Sequence, residues 1–259
     1  MTRFFKKKWN GLIRRLAWFK YGILYLYSPH IRIPSKLKIN GEFLDFDFAN
    51  KESENFIYEF EEICVNDCYK LKQLKAILGK VNHILDIGAN QGLFVLAARQ
   101  NFAGASIHCY EPNPHIFPLL KYNSKQLNAQ SFNEAASLED CRIELIYSDS
   151  DLHTRSTISP NGKIPGSSLA SILNRMDHNI DIVKLDCEGA EWDLLEDYDS
   201  WNCIKSLTME YHLWAKPGKS QSDVTALIQK LGFNILSHNP INAEFGLIAA
   251  VRHKTIRSN

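Results

Sequence analysis

The chain has 259 residues, of which 45% are hydrophobic and 23% are charged, and its formal net charge is +1. This length suits a single α/β domain with a small appendage, and the composition is ordinary for a globular protein. Residues 1–41 contain ten Lys or Arg and no acid, which leaves the rest of the chain acidic. A nucleic-acid partner would need basic residues around the site, so this charge distribution disfavours one.

Residues 3–27 place apolar side chains at alternating steps of three and four, with basic residues between them. The apolar positions are Phe5, Trp9, Leu12, Leu16, Phe19, Ile23 and Leu26. This spacing predicts an amphipathic helix whose unbroken apolar stretch is too short to cross a bilayer. Its apolar face could lie on an anionic membrane surface, or pack on the domain or a second subunit. We expect residues 1–36 to form this helix and a linker, and residues 37–259 to form the main domain.

The segment Leu37–Phe48 alternates around Asn40-Gly41, which predicts a hairpin with a two-residue turn. We expect the hairpin to lie on one edge of the main domain or over the entrance to a ligand site. The following stretch, Glu54–Lys80, predicts two helices that break near Asn66.

The sequence from residue 84 to residue 98 predicts a strand, a glycine turn and a helix. The short apolar run Ile84–Asp86 is typical of a buried strand, and Leu93–Ala98 is typical of a helix packed on a sheet. Gly88 and Gly92 let the backbone turn sharply and let a ligand approach the amides of the new helix. The spacing is not the Gly-x-Gly-x-x-Gly of a dinucleotide site. This passage therefore predicts a nucleotide-like cofactor at the carboxyl end of the first strand.

The next strand, Ala105–Tyr110, ends in Glu111. A carboxylate at this place, about 20 residues beyond the turn, suits the two ribose hydroxyls of a nucleoside. The alternative is an acid that caps the helix following Asn113.

Further along the chain, Ala129–Ala136 predicts the third strand and Arg142–Tyr147 another strand. The polar stretch Ser148–Ser167 is long enough to be a lid over the site, although an ordinary surface loop is the alternative. A helix is expected to restart at Ser168.

The fourth predicted strand, Ile180–Cys187, brings acids to the ligand edge of the sheet. Asp186 lies at its tip, and Glu188 and Glu191 follow within one turn. The helix dipole explains Glu191, whereas Asp186 and Glu188 are better candidates for the site. The three acids could hold a divalent cation, but without a second ligand cluster no metal site is predicted.

The fifth predicted strand, Ile204–Glu210, leads to His212. Neutral imidazole is well matched to removing a hydroxyl proton near pH 7. We therefore predict His212 as a general base that Glu210 orients, with a purely structural histidine as the alternative. The final strands are expected at Phe233–Ser237 and Gly246–Val251.

Three segments, Asp86–Asn90, Tyr110–Pro114 and Val183–Glu191, resemble the signature segments of the FkbM-type S-adenosylmethionine-dependent methyltransferases in order and spacing. The resemblance extends from about Tyr69 to Val251. It implies a class I methyltransferase fold, with a seven-stranded, mostly parallel sheet and an antiparallel last strand. It also implies a bound S-adenosylmethionine, with Tyr69 in the segment before the first strand and the adenine beside the end of the third. The predicted cofactor-binding residues are Tyr69, Asp86, Gly88, Asn90, Gly92, Glu111, Glu134, Ala135 and Asp186, and the predicted catalytic residues are His212, Glu188 and Glu210.

The resemblance implies methyl transfer to a hydroxyl of a glycan, a glycolipid precursor or a secondary metabolite, with no nucleic-acid partner. Three alternatives remain. A nicotinamide or nucleotide-sugar enzyme should show a Gly-x-Gly-x-x-Gly or Tyr-x-x-x-Lys motif, which this sequence lacks. A second is a non-catalytic S-adenosylmethionine-binding module tethered to a membrane-associated assembly. N-methylation of protein or nucleic acid usually needs an Asn/Asp-Pro-Pro-Tyr motif, where this chain has Asp186-Cys187-Glu188-Gly189.

Six scattered cysteines without zinc-ligand spacing predict reduced thiols in a cytoplasmic protein, with peripheral association at the inner membrane surface if the amino-terminal helix binds lipid.

Overall fold

The computed structural model describes residues 14–24, 32–147 and 154–252. Its strands are β1 (Lys36–Ile39), β2 (Glu42–Asp45), β3 (His83–Ile87), β4 (Ser106–Tyr110), β5 (Gln130–Phe132), β6 (Ala135–Ser137), β7 (Cys141–Tyr147), β8 (Thr154–Ile158), β9 (Ile164–Ser168), β10 (Ile182–Leu185), β11 (Ser206–His212), β12 (Phe233–Pro240) and β13 (Phe245–Arg252). Its helices are α1 (residues 14–19), α2 (Glu54–Phe60), α3 (Leu71–Leu78), α4 (Leu93–Asn101), α5 (Phe117–Gln126), α6 (Leu169–Asn174), α7 (Glu191–Glu196) and α8 (Gln221–Lys230).

Seven strands form the central sheet in the order β12-β13-β11-β10-β3-β4-β5. Strand β13 runs in the opposite direction to the other six strands of this sheet, so the predicted class I methyltransferase arrangement is confirmed. The chain leaves β3 towards β4 in one direction and later fills β10 and β11 on the other side. The carboxyl ends of β3 and β10 therefore flank the topological switch point, where open α/β sheets bind ligands.

Apolar residues bury both faces of the central strands. All four residues of β10 are buried, and so are the last four of β3. Helix α4 is buried along seven of its nine residues, which explains its continuous apolar sequence. Two apolar clusters result, one containing α2 to α4 and the other containing α6 to α8. The strands that lead to the site are therefore fixed by packing on both faces.

The predicted hairpin is confirmed, with Asn40 and Gly41 both at positive φ in its turn. It forms a separate two-stranded sheet and does not extend the central one. The Asn40 side chain donates to the Arg99 carbonyl at 2.9 Å, so the hairpin lies over the end of α4. The segment that follows it reaches the glycine turn, where the Ala49 N–H donates to Gln91 Oε1 at 2.6 Å.

The predicted amino-terminal helix differs from the structure within residues 14–24. Helix α1 ends at residue 19, and a turn follows at residues 20–22. Trp18 and Tyr21 are buried against Phe60, with ring centroids 5.5 and 5.6 Å away, whereas Leu16 and Phe19 of the predicted apolar stripe are exposed. Aromatic packing against the domain therefore decides which face is buried. Residues 3–13 and 25–27 lie outside the described residues.

The predicted third strand divides in two. Strand β5 completes the central sheet, while β6 joins a four-stranded sheet in the order β6-β9-β7-β8. The prediction of a loop at 148–167 was wrong for residues 154–158 and 164–167, because β8 and β9 both pair antiparallel with β7. Residues 148–153 lie outside the described residues. This small sheet closes one side of the site.

The break predicted near Asn66 separates a π-helical turn after α2, Glu61–Val65, from α3. All six cysteines lie within the described ranges and are free thiols. Within those ranges, the helices are too short or too polar to cross a bilayer.

Candidate functional site

The glycine turn after β3 is squeezed between two strand ends. Gly88 has φ +77°, and a Cβ at this position would lie 1.6 Å from the carbonyl oxygen of Asp186. The N–H groups of Gly88 and Ala89 both donate to the Tyr110 carbonyl, at 3.0 and 2.9 Å. Only glycine fits there, because any side chain would collide with the backbone after β10.

Gly92 provides the left-handed backbone conformation that starts α4. It has φ +96° and forms the amino-terminal cap of α4, and an added Cβ would face Leu120 and Asn123. Gly92 is not among the residues that line the pocket. It shapes the turn from outside the wall, and its predicted role in binding the cofactor stays a prediction.

Glu111 connects the turn to the end of β4. Its carboxylate accepts hydrogen bonds from the N–H of Asn90 at 2.9 Å and from the N–H of Asn113 at 2.8 Å. Burial raises the pKa of Glu111 to about 7, although both N–H groups favour the charged form. The Asn113 contact agrees with the capping alternative, and the Asn90 contact joins the carboxylate to the glycine turn. Ribose binding by Glu111 stays a prediction.

A pocket opens between the carboxyl ends of β3, β4 and β10. Eight of the predicted site residues line it: Tyr69, Gly88, Asn90, Glu111, Glu134, Ala135, Asp186 and Glu188. The remaining four, Asp86, Gly92, Glu210 and His212, are outside this wall. The sequence motifs therefore converge on one cavity, although they do not all reach its surface.

The far end of the pocket is formed by Glu134 and Ala135, where the third predicted strand divides. Glu134 Oε2 accepts hydrogen bonds from Arg175 Nη1 at 2.9 Å and from the Ser167 hydroxyl at 2.5 Å. These partners hold Glu134 in the wall, on the side of the pocket next to the Tyr110 and Phe132 rings, which stack at 4.7 Å.

A buried ammonium lies beneath the turn. Lys184 Nζ is 3.1 Å from Asp86 Oδ1 and 3.6 Å from Asp186 Oδ2, and it donates to the Gly88 carbonyl. Burial opposes the charge, but the two carboxylates outweigh it and raise the pKa of Lys184. The Tyr69 hydroxyl also donates to Asp186 Oδ2, at 2.9 Å.

This network corrects the role predicted for Asp86. The Asp86 carboxylate is fully buried and faces Lys184, so it supports the turn from below and does not line the pocket. Tyr69 and Asp186, by contrast, lie in the wall where the predictions placed them.

His212 is buried among three glutamates. Its Nδ1 is 3.2 Å from Glu191 Oε1, and its Nε2 is 3.4 Å from Glu210 Oε1 and 3.8 Å from Glu188 Oε2. Burial alone would lower its pKa, but the hydrogen bonds to Glu191 and Glu210 outweigh burial and raise the pKa to about 11. His212 is therefore an imidazolium at neutral pH, and it must lose a proton before it can act as a base.

Glu191 orients the ring more firmly than Glu210 does. Its carboxylate is buried, and it also accepts hydrogen bonds from the N–H groups of Cys187 and Gly189, at 2.7 and 2.8 Å. Glu191 thus fixes both the turn after β10 and the nitrogen of His212 that faces away from Glu210.

The side chains that could hold a divalent cation are Asp186, Glu188 and His212, whose donor atoms lie within 4.8 Å of one another. Glu191 does not belong to this set, because its carboxylate caps its own turn. A cation at this place would have to displace the proton of His212, because metal-bound histidine is neutral at the coordinating nitrogen.

Glu59 is a site residue that the sequence argument missed. It lies on α2, is half-buried and lines the pocket. Burial, and secondly the charge of Asp186, raise its pKa to about 7. A signal was present in the sequence, because Phe56, Glu59 and Ile63 are spaced by three and four residues and so share the inner face of the helix.

Comparison with known proteins agrees with this architecture. The family described as Methyltransferase FkbM domain matches residues 86–235. Methyltransferase sdnD of Sordaria araneosa is 25% identical over 239 residues, covering 76% of this chain and 88% of that protein. The 31-O-demethyl-FK506 methyltransferase FkbM of Streptomyces tacrolimicus is 33% identical over 76 residues, 29% of this chain and 28% of its own length.

Among solved structures, the chain is similar to magnesium protoporphyrin IX methyltransferase (ChlM) from Synechocystis PCC 6803 with bound SAM. The TM-score is 0.49 and the identity 11%, with 81% of this chain and 86% of that chain covered.

Proposed function

Because the chain belongs to the FkbM family of S-adenosylmethionine-dependent methyltransferases, we propose that it methylates a hydroxyl oxygen of a small-molecule or glycan acceptor. The contact between Glu111 and Asn90 is the observation that carries the cofactor part of the proposal, because it puts a buried carboxylate beside the glycine turn. Support for an oxygen acceptor comes from the similarity to a relative whose name describes O-methylation.

The residues of the pocket fit the cofactor. Glu111 and the Asn90 backbone would hold the ribose, and Glu134 and Ala135 would lie beside the adenine. Gly88 leaves room for the ligand to lie against the backbone. When bound, S-adenosylmethionine supplies an electrophilic methyl group on its sulfonium centre, while the protein positions the acceptor oxygen and takes its proton.

The acceptor is proposed to be uncharged or cationic. The acidic and basic side chains of the pocket wall are five carboxylic acids and one lysine, and Lys184 is held by Asp86 and Asp186. Such a wall repels phosphates, which disfavours nucleic acid and favours the hydroxyls of a neutral glycan, a glycolipid precursor or a secondary metabolite.

Two groups could take the hydroxyl proton. The sequence predicts His212, but its resting charge and its position outside the wall make it the weaker candidate. Glu59 lies in the wall, and a base with a pKa near the working pH combines an available lone pair with sufficient basicity. We therefore propose Glu59 as the proton acceptor, with His212 as the alternative.

The test is the transfer of radiolabelled methyl groups from S-adenosylmethionine to a panel of neutral glycosides, glycolipids and hydroxylated polyketides. The proposal expects label in a methyl ether that is stable to mild base. Label recovered as base-released methanol would indicate a methyl ester, and label on nitrogen would indicate N-methylation; either result would contradict it. Tight cofactor binding with no transfer over the whole panel would favour the non-catalytic, membrane-tethered module.

A further inference from the structure

Four large apolar side chains project from the amino-terminal side of the domain. Leu16, Phe19, Leu24 and Phe43, called here the amino-terminal patch, have exposures between 55% and 72%. Phe43, on β2, lies against Gly22, where an added Cβ would be 2.7 Å from its ring. The hairpin and the amino-terminal segment therefore present one apolar surface.

The patch is held firmly on the domain. Trp18 and Tyr21 are buried beside its members, and the Tyr21 hydroxyl donates to the Cys64 carbonyl at 3.0 Å. The backbone is fixed as well, because the Lys38 N–H donates to the Tyr21 carbonyl at 2.9 Å. Since these anchors occupy the inner side, Leu16 and Phe19 cannot turn inwards without breaking them.

Two lysines, Lys20 and Lys38, lie next to members of the patch. The Cβ of Lys38 packs against Gly22, which lies between Phe19 and Leu24 in the chain. Lys20 follows Phe19 in the chain and is exposed. Burial, and after it the charges of Lys72 and Lys75, lower the pKa of Lys20. The nearby acid Asp67 is engaged by the N–H groups of Leu71 and Lys72 at the start of α3.

We propose that the amino-terminal patch docks the protein on a membrane surface that contains anionic phospholipids. Projecting apolar side chains among lysines fit the interface between acyl chains and negative headgroups. The amino-terminal 41 residues, which contain ten basic residues and no acid, complement that surface. A second copy of this chain is a poorer occupant, because two amino-terminal segments of this composition would repel each other. This proposal is independent of the proposed reaction.

The experiment is co-sedimentation of the full chain with vesicles of phosphatidylcholine alone, and of phosphatidylcholine containing about 30% phosphatidylglycerol. The matched variants are Leu24→Asp in the patch and Ile241→Asp on the β12–β13 connection, both at exposed positions. Leu24→Asp should weaken binding to the anionic vesicles about tenfold or more, because it replaces an inserted side chain by a charge. Ile241→Asp should bind like the wild type. Lys20→Gln should weaken binding roughly fivefold at low salt.

Equal binding of Leu24→Asp and the wild type would overturn the proposal, as would a wild-type protein that sediments with neither kind of vesicle. Light scattering measures whether a second copy of the chain occupies the patch instead of lipid. A wild-type dimer that becomes a monomer in Leu24→Asp would assign the patch to a second copy and reject the lipid.

Discussion

The main-chain N–H of Asn90 donates a hydrogen bond to the carboxylate of Glu111 at 2.9 Å, and this contact joins the turn after β3 to the end of β4. Asn90 has φ +46°, a left-handed conformation that aims its N–H at the neighbouring strand. The two motifs that predict the cofactor therefore meet in the wall of one pocket.

Replacing Glu111 by glutamine should weaken the binding of S-adenosylmethionine about 100-fold, because two charge-assisted hydrogen bonds to ribose are lost. The melting temperature should also fall, because the Gln amide has one acceptor oxygen and leaves either the Asn90 or the Asn113 N–H facing its NH2 group. Calorimetric titration with S-adenosylhomocysteine measures the effect. Glu139→Ala is the control, since its side chain is exposed, and it should bind as the wild type does.

Cofactor affinity should depend on pH through the same carboxylate. The pKa of Glu111 is raised to about 7, so the form that accepts ribose hydroxyl hydrogens is present above that pH and is lost below it. The dissociation constant should rise about tenfold per pH unit below pH 7. A flat profile between pH 5 and pH 8 would remove Glu111 from the ribose site.

Gly88→Ala should abolish cofactor binding and destabilise the fold. The added carbon would lie 1.6 Å from the Asp186 carbonyl oxygen at a φ of +77°, so the strands must separate or the turn must move. The control is Gly104→Ala, where an added Cβ meets no atom within 4 Å. Soluble Gly88→Ala with wild-type affinity would show that the turn is not the cofactor site.

The pH profile of turnover at saturating cofactor distinguishes Glu59 from His212. If Glu59 is the base, turnover should fall as pH drops below about 7, because its raised pKa is about 7 and the protonated form is inactive. If His212 is the base, turnover should still be rising towards pH 11, where the imidazolium loses its proton. Glu59→Gln should lower turnover about 100-fold or more and leave the cofactor dissociation constant unchanged.

His212→Gln should destabilise the protein on the order of 3 kcal/mol by leaving buried carboxylates without their cation. The melting temperature should fall by roughly 6–12 °C. The pKa of His212 is higher in the folded state than in the unfolded state. This stabilisation is therefore complete below about pH 6.5 and declines as pH rises to about 11. Thermal denaturation of both proteins at pH 6 and pH 10 should show a smaller difference at the higher pH.

The sequence predicts the central sheet well, because buried parallel strands are unbroken apolar runs. Strands β3, β4 and β10 and helix α4 lie where their residues predict them. The small sheet was missed because β8 and β9 are short and polar, with Gly166 packed against Cys141 Sγ. Their pairing with β7 depends on tertiary contacts that local sequence does not encode.

The site was predicted in position more accurately than in chemistry. Strand ends place Glu111, Asp186 and Glu188 correctly, since side chains at the carboxyl edge of parallel strands meet there. The protonation state of His212 does not follow from its position in the sequence. Whether His212 is neutral depends on Glu191, the first residue of α7, whose inward orientation only the folded turn reveals.

The most direct test is a crystal structure with S-adenosylhomocysteine bound. The account predicts density in the turn at residues 88–92, with both ribose hydroxyls within hydrogen-bonding distance of the Glu111 carboxylate and the adenine beside Ala135. Density elsewhere, with an empty turn and Glu111 still bonded only to Asn90 and Asn113, would contradict it.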